Sequence, residues 1–259
     1  MISPDARERA EKSRSALAAT QLDAKLIMSE KTLARYRAPR GDTIFPLEYA
    51  FHLLDDVNGK TILEYGCGDG KNTVALSGRG AKVIGLDLSP ELLEVARKRL
   101  LANQHRETML VLGSAHTLPF PDESIDIIFG IAILHHLDLE LASREIQRVL
   151  RKGGRGIFQE PLRNSNLVAR VRRFFPKRAD VSPFEHPLTD MEIKNFAGSC
   201  RGLGRDRTFE LPLSRLGTFV PFCGQHVQKV CARVDTTLMR VFPPITYYGS
   251  IKVFEIAKD

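Results

Sequence analysis

The stretch Thr61-Ile62-Leu63-Glu64-Tyr65-Gly66-Cys67-Gly68-Asp69-Gly70 constrains the chain more than any other. A short apolar run ends in an acid, and three glycines at alternate positions follow. Such a run reads as a buried strand, and the glycines let the backbone turn sharply and approach a ligand with no Cβ in the way. The pattern is G-x-G-x-G and differs from the G-x-G-x-x-G that closes on a pyrophosphate over a helix N-terminus. Glu64 just before the glycines would repel a phosphate and suits a cationic amino group. A second apolar run, Ala81 to Leu86, ends at Asp87, where an acid can bond both hydroxyls of a ribose. Asp87 is left for that role because Ser89-Pro90-Glu91 already supplies a helix cap, a first-turn proline and an acid suited to the helix dipole. Together these residues ask for a nucleoside with ribose hydroxyls, a positively charged side arm and no pyrophosphate.

The same rhythm continues. Strands are expected at Thr108–Leu112, Ser124–Gly130 and Arg155–Glu160, with helices after Gly70, from Ser89 and over Asp138–Leu150. This alternation implies a parallel sheet with helices on both faces. Before it, Leu17, Leu22, Leu26 and Leu33 fall near helical spacing, and Pro46–Leu54 reads as another helix. After Glu160 the rhythm lapses, then resumes with a helix at Thr189-Asp190, a strand around Thr208–Leu211, a helix from Gly224 to Met239 and a strand from Ser250 to Ile256.

These motifs resemble the class I S-adenosylmethionine-dependent methyltransferases, in the small-molecule group that includes ubiquinone and sterol methylases. The resemblance runs from about Thr61 to Glu160. It rests on Leu63 to Gly68, Gly85-Leu86-Asp87, Leu118 to Asp122, Phe129 to Leu137 and Arg148 to Gly154, in that order. It implies an α/β fold: a Rossmann-like, doubly wound, seven-stranded, mostly parallel sheet with an antiparallel last strand. The expected divisions are an N-terminal helical lid (1–58), the S-adenosylmethionine-binding core (59–160), an inserted basic cap (161–200) and the C-terminal part of the sheet (201–259). The resemblance places Glu64, Gly66, Cys67, Gly68 and Gly70 along the methionine arm, Asp87 on the ribose and Leu88 against the adenine. Gly130 and Ile131 would approach the methionine backbone. Gly113-Ser114-Ala115 stands where the family usually reads Gly-Asp-Ala, so Ser114 replaces the acid that accepts the adenine amino hydrogen, a weaker acceptor than a carboxylate. Tyr36 and Arg37 would belong to the lid.

His135, His136 and Glu160 follow strands at the C-terminal edge, where α/β folds place their chemistry, and are the candidate catalytic residues. An imidazole near its ordinary pKa of about 6.5 can take a proton from a hydroxyl acceptor at neutral pH. The expected reaction is methyl transfer to a small organic acceptor, first of all at oxygen. The rivals are RNA or DNA methylation, for which no Asn/Asp-Pro-Pro-Tyr signature is present, and a cofactor-binding regulator without catalysis.

Charge and composition narrow the partners. The 259 residues carry 38 Lys+Arg against 31 Asp+Glu, a net charge of +7. Much of the excess sits in Arg163, Arg170, Arg172, Arg173, Lys177 and Arg178, so a surface coated for nucleic acid is not expected. The basic segment 161–180 reads as a cap selecting acidic or lipid-like acceptors, as a contact with anionic membrane, or as a solvated helix; His186 and Glu185 beyond it read as surface residues. Cys67, Cys200, Cys223 and Cys231 form no C-x-x-C pair, so neither a bound metal nor a disulfide framework is expected. No apolar span and no signal peptide is legible, and a reduced cytoplasmic protein is the expectation.

Overall fold

The computed structural model describes residues 4–21, 26–165, 186–200, 202–211 and 225–259. Three helices, α1 (Pro4–Gln21), α2 (Glu30–Arg37) and α3 (Pro46–Leu53), precede the alternating core. The core runs β1 (Thr61–Tyr65), α4 (Lys71–Ser77), β2 (Lys82–Asp87), α5 (Pro90–Ala102), β3 (Met109–Leu112), β4 (Ile125–Ile131), α6 (Leu139–Val149) and β5 (Leu150–Pro161). Then come α7 (Asp190–Gly198), β6 (Leu203–Phe209), α8 (Gln225–Val241) and β7 (Ile251–Ala257). The strands form one seven-stranded sheet in the order β3-β2-β1-β4-β5-β7-β6, with β7 antiparallel to both neighbours.

Adjacent residues on the central strands enter opposite layers. Leu63, Ile128, Phe158 and Phe254 join the core shared with α6 and α7, whereas Ile62, Ile127, Ile157 and Val253 join the core shared with α3 and α4. Burial on both faces is why these strands read as continuous apolar runs instead of alternating ones. Ser89 caps α5 by accepting from Leu92 N–H, as its position suggested. Strand order reverses between β1 and β4, and the register brings Tyr65 beside both Leu86 and Gly130, and Gly130 beside Phe158. The ends of β1, β2, β4 and β5 therefore lie within a residue or two of one level. That switch point is where open α/β sheets hold ligands.

Several expectations shift. Strand β5 begins at Leu150, directly after α6, because Gly153 takes a left-handed conformation (φ +72°) and a bulge opposite Ile125–Ile127 absorbs the extra residues. Strand β6 lies earlier than Thr208–Leu211. Its sequence, Leu-Gly-Arg-Asp-Arg-Thr-Phe, hides it because an edge strand carries polar residues, here tied down by Arg205 to Asp55 and Glu255. The N-terminal leucines do not share one helix, since residues 26–29 are not helical, and Leu22 lies outside the described residues. Most of the basic segment, with Glu185, also falls outside them. Helix α7, within the expected insert, packs Ile193, Phe196 and Ala197 into the core, and Thr189 and Glu192 form a capping box at its start. Among the described residues no helix is long and apolar enough to cross a membrane.

Gly70 ends the loop at φ +79°, and a Cβ there would come 2.8 Å from the Ala96 Cβ and 3.0 Å from its Cα. Gly70→Ala should destabilise the fold by roughly 2 kcal/mol or more, from backbone strain plus overpacking. Gly153→Ala, with similar φ but open space, should cost only about 1 kcal/mol. Urea unfolding of the two variants measures the difference; equal losses would mean that α5 yields at Ala96.

Candidate active site

The glycine loop uses its own donors. The N–H groups of Gly66 and Cys67 both reach Leu86 O (3.0 and 2.9 Å), and that of Gly70 reaches Cys67 O (3.0 Å). The Gly68 N–H goes to Asp87 Oδ2 at 2.7 Å. A phosphate cradle needs such groups pointing outward; here those of Gly66, Cys67, Gly68 and Gly70 are spent. Asp87 also accepts the Ser89 N–H at 2.9 Å through Oδ1. Each carboxylate oxygen keeps a lone pair after one such bond, so Asp87 can still receive ribose hydroxyls. Burial raises its pKa above the ordinary aspartate value, against the pull of these N–H bonds. A Cβ on Gly68 would meet no atom within 4 Å, so the loop faces open space there.

Glu64 lies beneath the loop, 2% exposed, and its carboxyl accepts a hydrogen bond from the Thr73 hydroxyl on α4. Burial, helped by the nearby charge of Asp87, pushes its pKa up to about 8. Its reach toward a methionine arm is therefore electrostatic, from under the backbone. Cys67 also turns inward, with its Sγ against Gly85. Burial holds that thiol well above its ordinary pKa, which makes it a packing residue and not a nucleophile. Asp69 is anchored from below by Arg99 of α5, itself 2% exposed, at 3.2 Å.

The other half of the crevice hangs on Glu160. It is a fully buried β5 residue. Its Oε1 accepts the N–H groups of Ile133 (2.9 Å) and Leu134 (2.8 Å), and its Oε2 lies 2.7 Å from His135 Nδ1. The β4–α6 turn is thereby stapled to β5. His136 packs against His135 with ring centroids 4.0 Å apart and the planes tilted by 39°, and meets Glu11 (3.5 Å) and Arg14 (3.4 Å) of α1. Burial first, then the neighbouring His135 and Arg14, drive its pKa down to about 3. Gly66 and Gly130 both lie against Ile133, so a side chain at either would collide with it. Ile131 ends β4 beside this turn, and Leu88 follows Asp87, both half-buried.

Beyond β3, Tyr65 donates to Ala115 O, and Ser114 and His116 both bond Glu8 of α1. Helix α1 thus spans from the end of β3 to the end of β4, where Arg7 donates to Leu137 O at 2.9 Å. Of the expected lid pair, Tyr36 packs on Phe51 (centroids 4.7 Å) and Arg37 pairs with Glu30 on the surface. Reading the sequence left out Thr73, Asp69, Arg99, His116, Glu8, Glu11 and Arg14. Only the helix-start position of Thr73, just after the glycines, could have pointed to one of them.

Known proteins share this arrangement. The family model described as a methyltransferase domain matches residues 63–158. An uncharacterized methyltransferase of Mycobacterium bovis is 36% identical over 116 residues, covering 45% of each chain. This chain thus spans less than half the length of that relative. A demethylmenaquinone methyltransferase of Symbiobacterium thermophilum is 39% identical over 184 residues, 62% of this chain and 73% of the relative. The chain belongs to the class I S-adenosylmethionine-dependent methyltransferases. In fold it is similar to geranyl diphosphate C-methyltransferase from Streptomyces coelicolor A3(2), solved with S-adenosyl-L-homocysteine (TM-score 0.56, 18% identity, 81% of this chain and 76% of that one).

S-adenosylmethionine, the cofactor of this family, fits the residues present. Four of the loop's N–H groups are already bonded within the protein, Asp87 suits ribose hydroxyls, and the carboxyls of Glu64 and Asp87 favour a cation. Glu64 gives a direct test. A carboxyl whose folded pKa of about 8 exceeds an unfolded value of about 4.3 stabilises the ligand-free fold below the latter. That contribution is lost as pH rises through the former. Ligand-free stability should thus fall between about pH 4 and 8, and Glu64→Gln should flatten the fall. A cationic ligand would ionise Glu64, so S-adenosylmethionine binding at pH 7 should release protons in the wild type and not in Glu64→Gln. Calorimetry in buffers of different ionisation enthalpy measures this; a buffer-independent wild-type enthalpy would contradict it.

Proposed function

We propose that the protein transfers the methyl group of S-adenosylmethionine to a hydroxyl oxygen of a small organic acceptor, with His135 as the base. The observation that carries this reading is the buried His135–Glu160 pair, 2.7 Å apart, at the strand ends beside the glycine loop. S-adenosylmethionine supplies an already activated methyl on a sulfonium, so the protein has to align the acceptor and exclude water. A hydroxyl acceptor must also lose a proton as the methyl arrives. With Nδ1 held by Glu160, Nε2 is the ring atom that would take that proton. Glu160 is fully buried and holds the imidazole together with two backbone N–H groups, so we assign it the positioning of the ring and not the role of base. His136, with its pKa driven down to about 3, is too weak a proton acceptor to replace His135. A histidine–carboxylate pair of this kind also speaks against a binding protein without catalysis. Relatives named for demethylmenaquinone and geranyl diphosphate methylation support a small organic acceptor over a nucleic acid.

The test is S-adenosylhomocysteine formation against phenols, carboxylic acids, amines, lipids and RNA, followed by kinetics on the acceptor found. His135→Ala should lower kcat by about 10²–10⁴-fold with cofactor affinity intact. Glu160→Gln should also lower it strongly by reversing the imidazole tautomer, whereas His136→Ala should cost less than about tenfold. Near-normal kcat in His135→Ala, or methylation confined to acceptors that lose no proton, would overturn the reading.

A further inference from the structure

We propose that Glu8, on helix α1, supplies the carboxylate that recognises the adenine amino group of the cofactor. This inference rests on the reading of the crevice as an S-adenosylmethionine site. With the ribose on Asp87, the base lies over the end of β3. There the β2–β3 register pairs Asp87 with Leu112, and the Gly113 N–H donates to Asp87 O at 3.0 Å. The core chain offers only the hydroxyl of Ser114 at that point, an acceptor of modest strength. A carboxylate is nonetheless present, delivered from more than a hundred residues away. Glu8 Oε1 accepts from Ser114 Oγ at 2.5 Å and from His116 Nδ1 at 2.9 Å.

The hydrogen-bond chain behind Glu8 has a fixed direction. The Asp138 N–H donates to His116 Nε2 at 2.9 Å, so the proton of the neutral ring sits on Nδ1 and points at Glu8. Ser114 Oγ accepts the His116 N–H at 3.0 Å and passes its own proton to Glu8. Both donors meet Oε1, and Oε2 has no hydrogen-bond partner among the described residues. Partial burial would raise the Glu8 pKa, but the bonds from His116 and Ser114 outweigh it and hold the carboxyl below its ordinary range. An ionised carboxylate only accepts hydrogen bonds. It matches the two-proton 6-amino group of adenine and repels the 6-oxo group of hypoxanthine. Helix α1 therefore acts as a wall of the cofactor site, tied on either side of Glu8 in sequence by Arg7 to Leu137 O and by Arg14 to His136.

The experiment compares dissociation constants of S-adenosylhomocysteine and S-inosylhomocysteine, which differ in the 6-amino and 6-oxo groups and in the N1 proton that accompanies the latter. The wild type should prefer the amino form by about tenfold or more. In Glu8→Gln the preference should fall to near unity, because the amide can turn its NH₂ toward the 6-oxo group. Adding Ser114→Asp to Glu8→Gln should restore the preference by placing a carboxylate on the core chain. If Glu8→Gln weakens both ligands equally and leaves their ratio unchanged, Glu8 merely ties down the helix and the proposal fails. A wild type that binds both ligands alike overturns the proposal alone; one that binds neither overturns the cofactor reading with it.

Discussion

The crevice depends on one carboxylate. Asp87 takes the Gly68 N–H on one oxygen and the Ser89 N–H on the other, joining the loop after β1 to the turn after β2. Without it, Gly68 would keep an unpaired donor and the loop would lose the partner that holds its left-handed turn. Because four N–H groups of the loop are consumed internally, the carboxyls around it weigh most in its electrostatic character. A ligand with a positive arm is favoured and a pyrophosphate is not.

The opposite side obeys the same rule. Glu160 takes two backbone N–H groups and one imidazole, stapling the turn after β4 to β5 as Asp87 staples β1 to β2. In both places a strand-end acid satisfies backbone donors that the sheet has released. Glu8 and Glu11 of α1 lie against His116 and His136. The carboxyls of Glu64, Asp87 and Glu160 gather at the strand ends although the chain as a whole carries a net charge of +7. Chemistry and binding share one framework: residues that fix the backbone also set the charge that the cofactor meets.

The central strands were legible because burial on both faces leaves an unbroken apolar signature, as in Ile62-Leu63 and Ile127-Ile128. The Ser89 cap was legible because it depends on residues adjacent in sequence. Strand β6 was misplaced because its stability comes from pairing with β7 and from the ion pairs of Arg205, neither of which leaves a local pattern. At the site, Glu64, the glycines and Asp87 announced themselves by spacing. Their geometry did not: that the Glu64 carboxyl sits under the loop, and that Cys67 faces the sheet, follow from side-chain direction at a bend. His135 and Glu160 were each visible as strand-end residues, but their union across 25 positions required the β4–β5 register. Glu8 had no signal at all, because its partners are more than a hundred residues away and α1 carries no motif.

The most direct measurement is the affinity of S-adenosylhomocysteine for the wild type and for Asp87→Ala, with a nicotinamide dinucleotide as the competing ligand. Two charge-assisted bonds to the ribose, at about 1.5–3 kcal/mol each, predict that Asp87→Ala weakens S-adenosylhomocysteine at least tenfold and that the dinucleotide does not bind. Binding of the dinucleotide, or an unchanged affinity in Asp87→Ala, would contradict the assignment of the crevice.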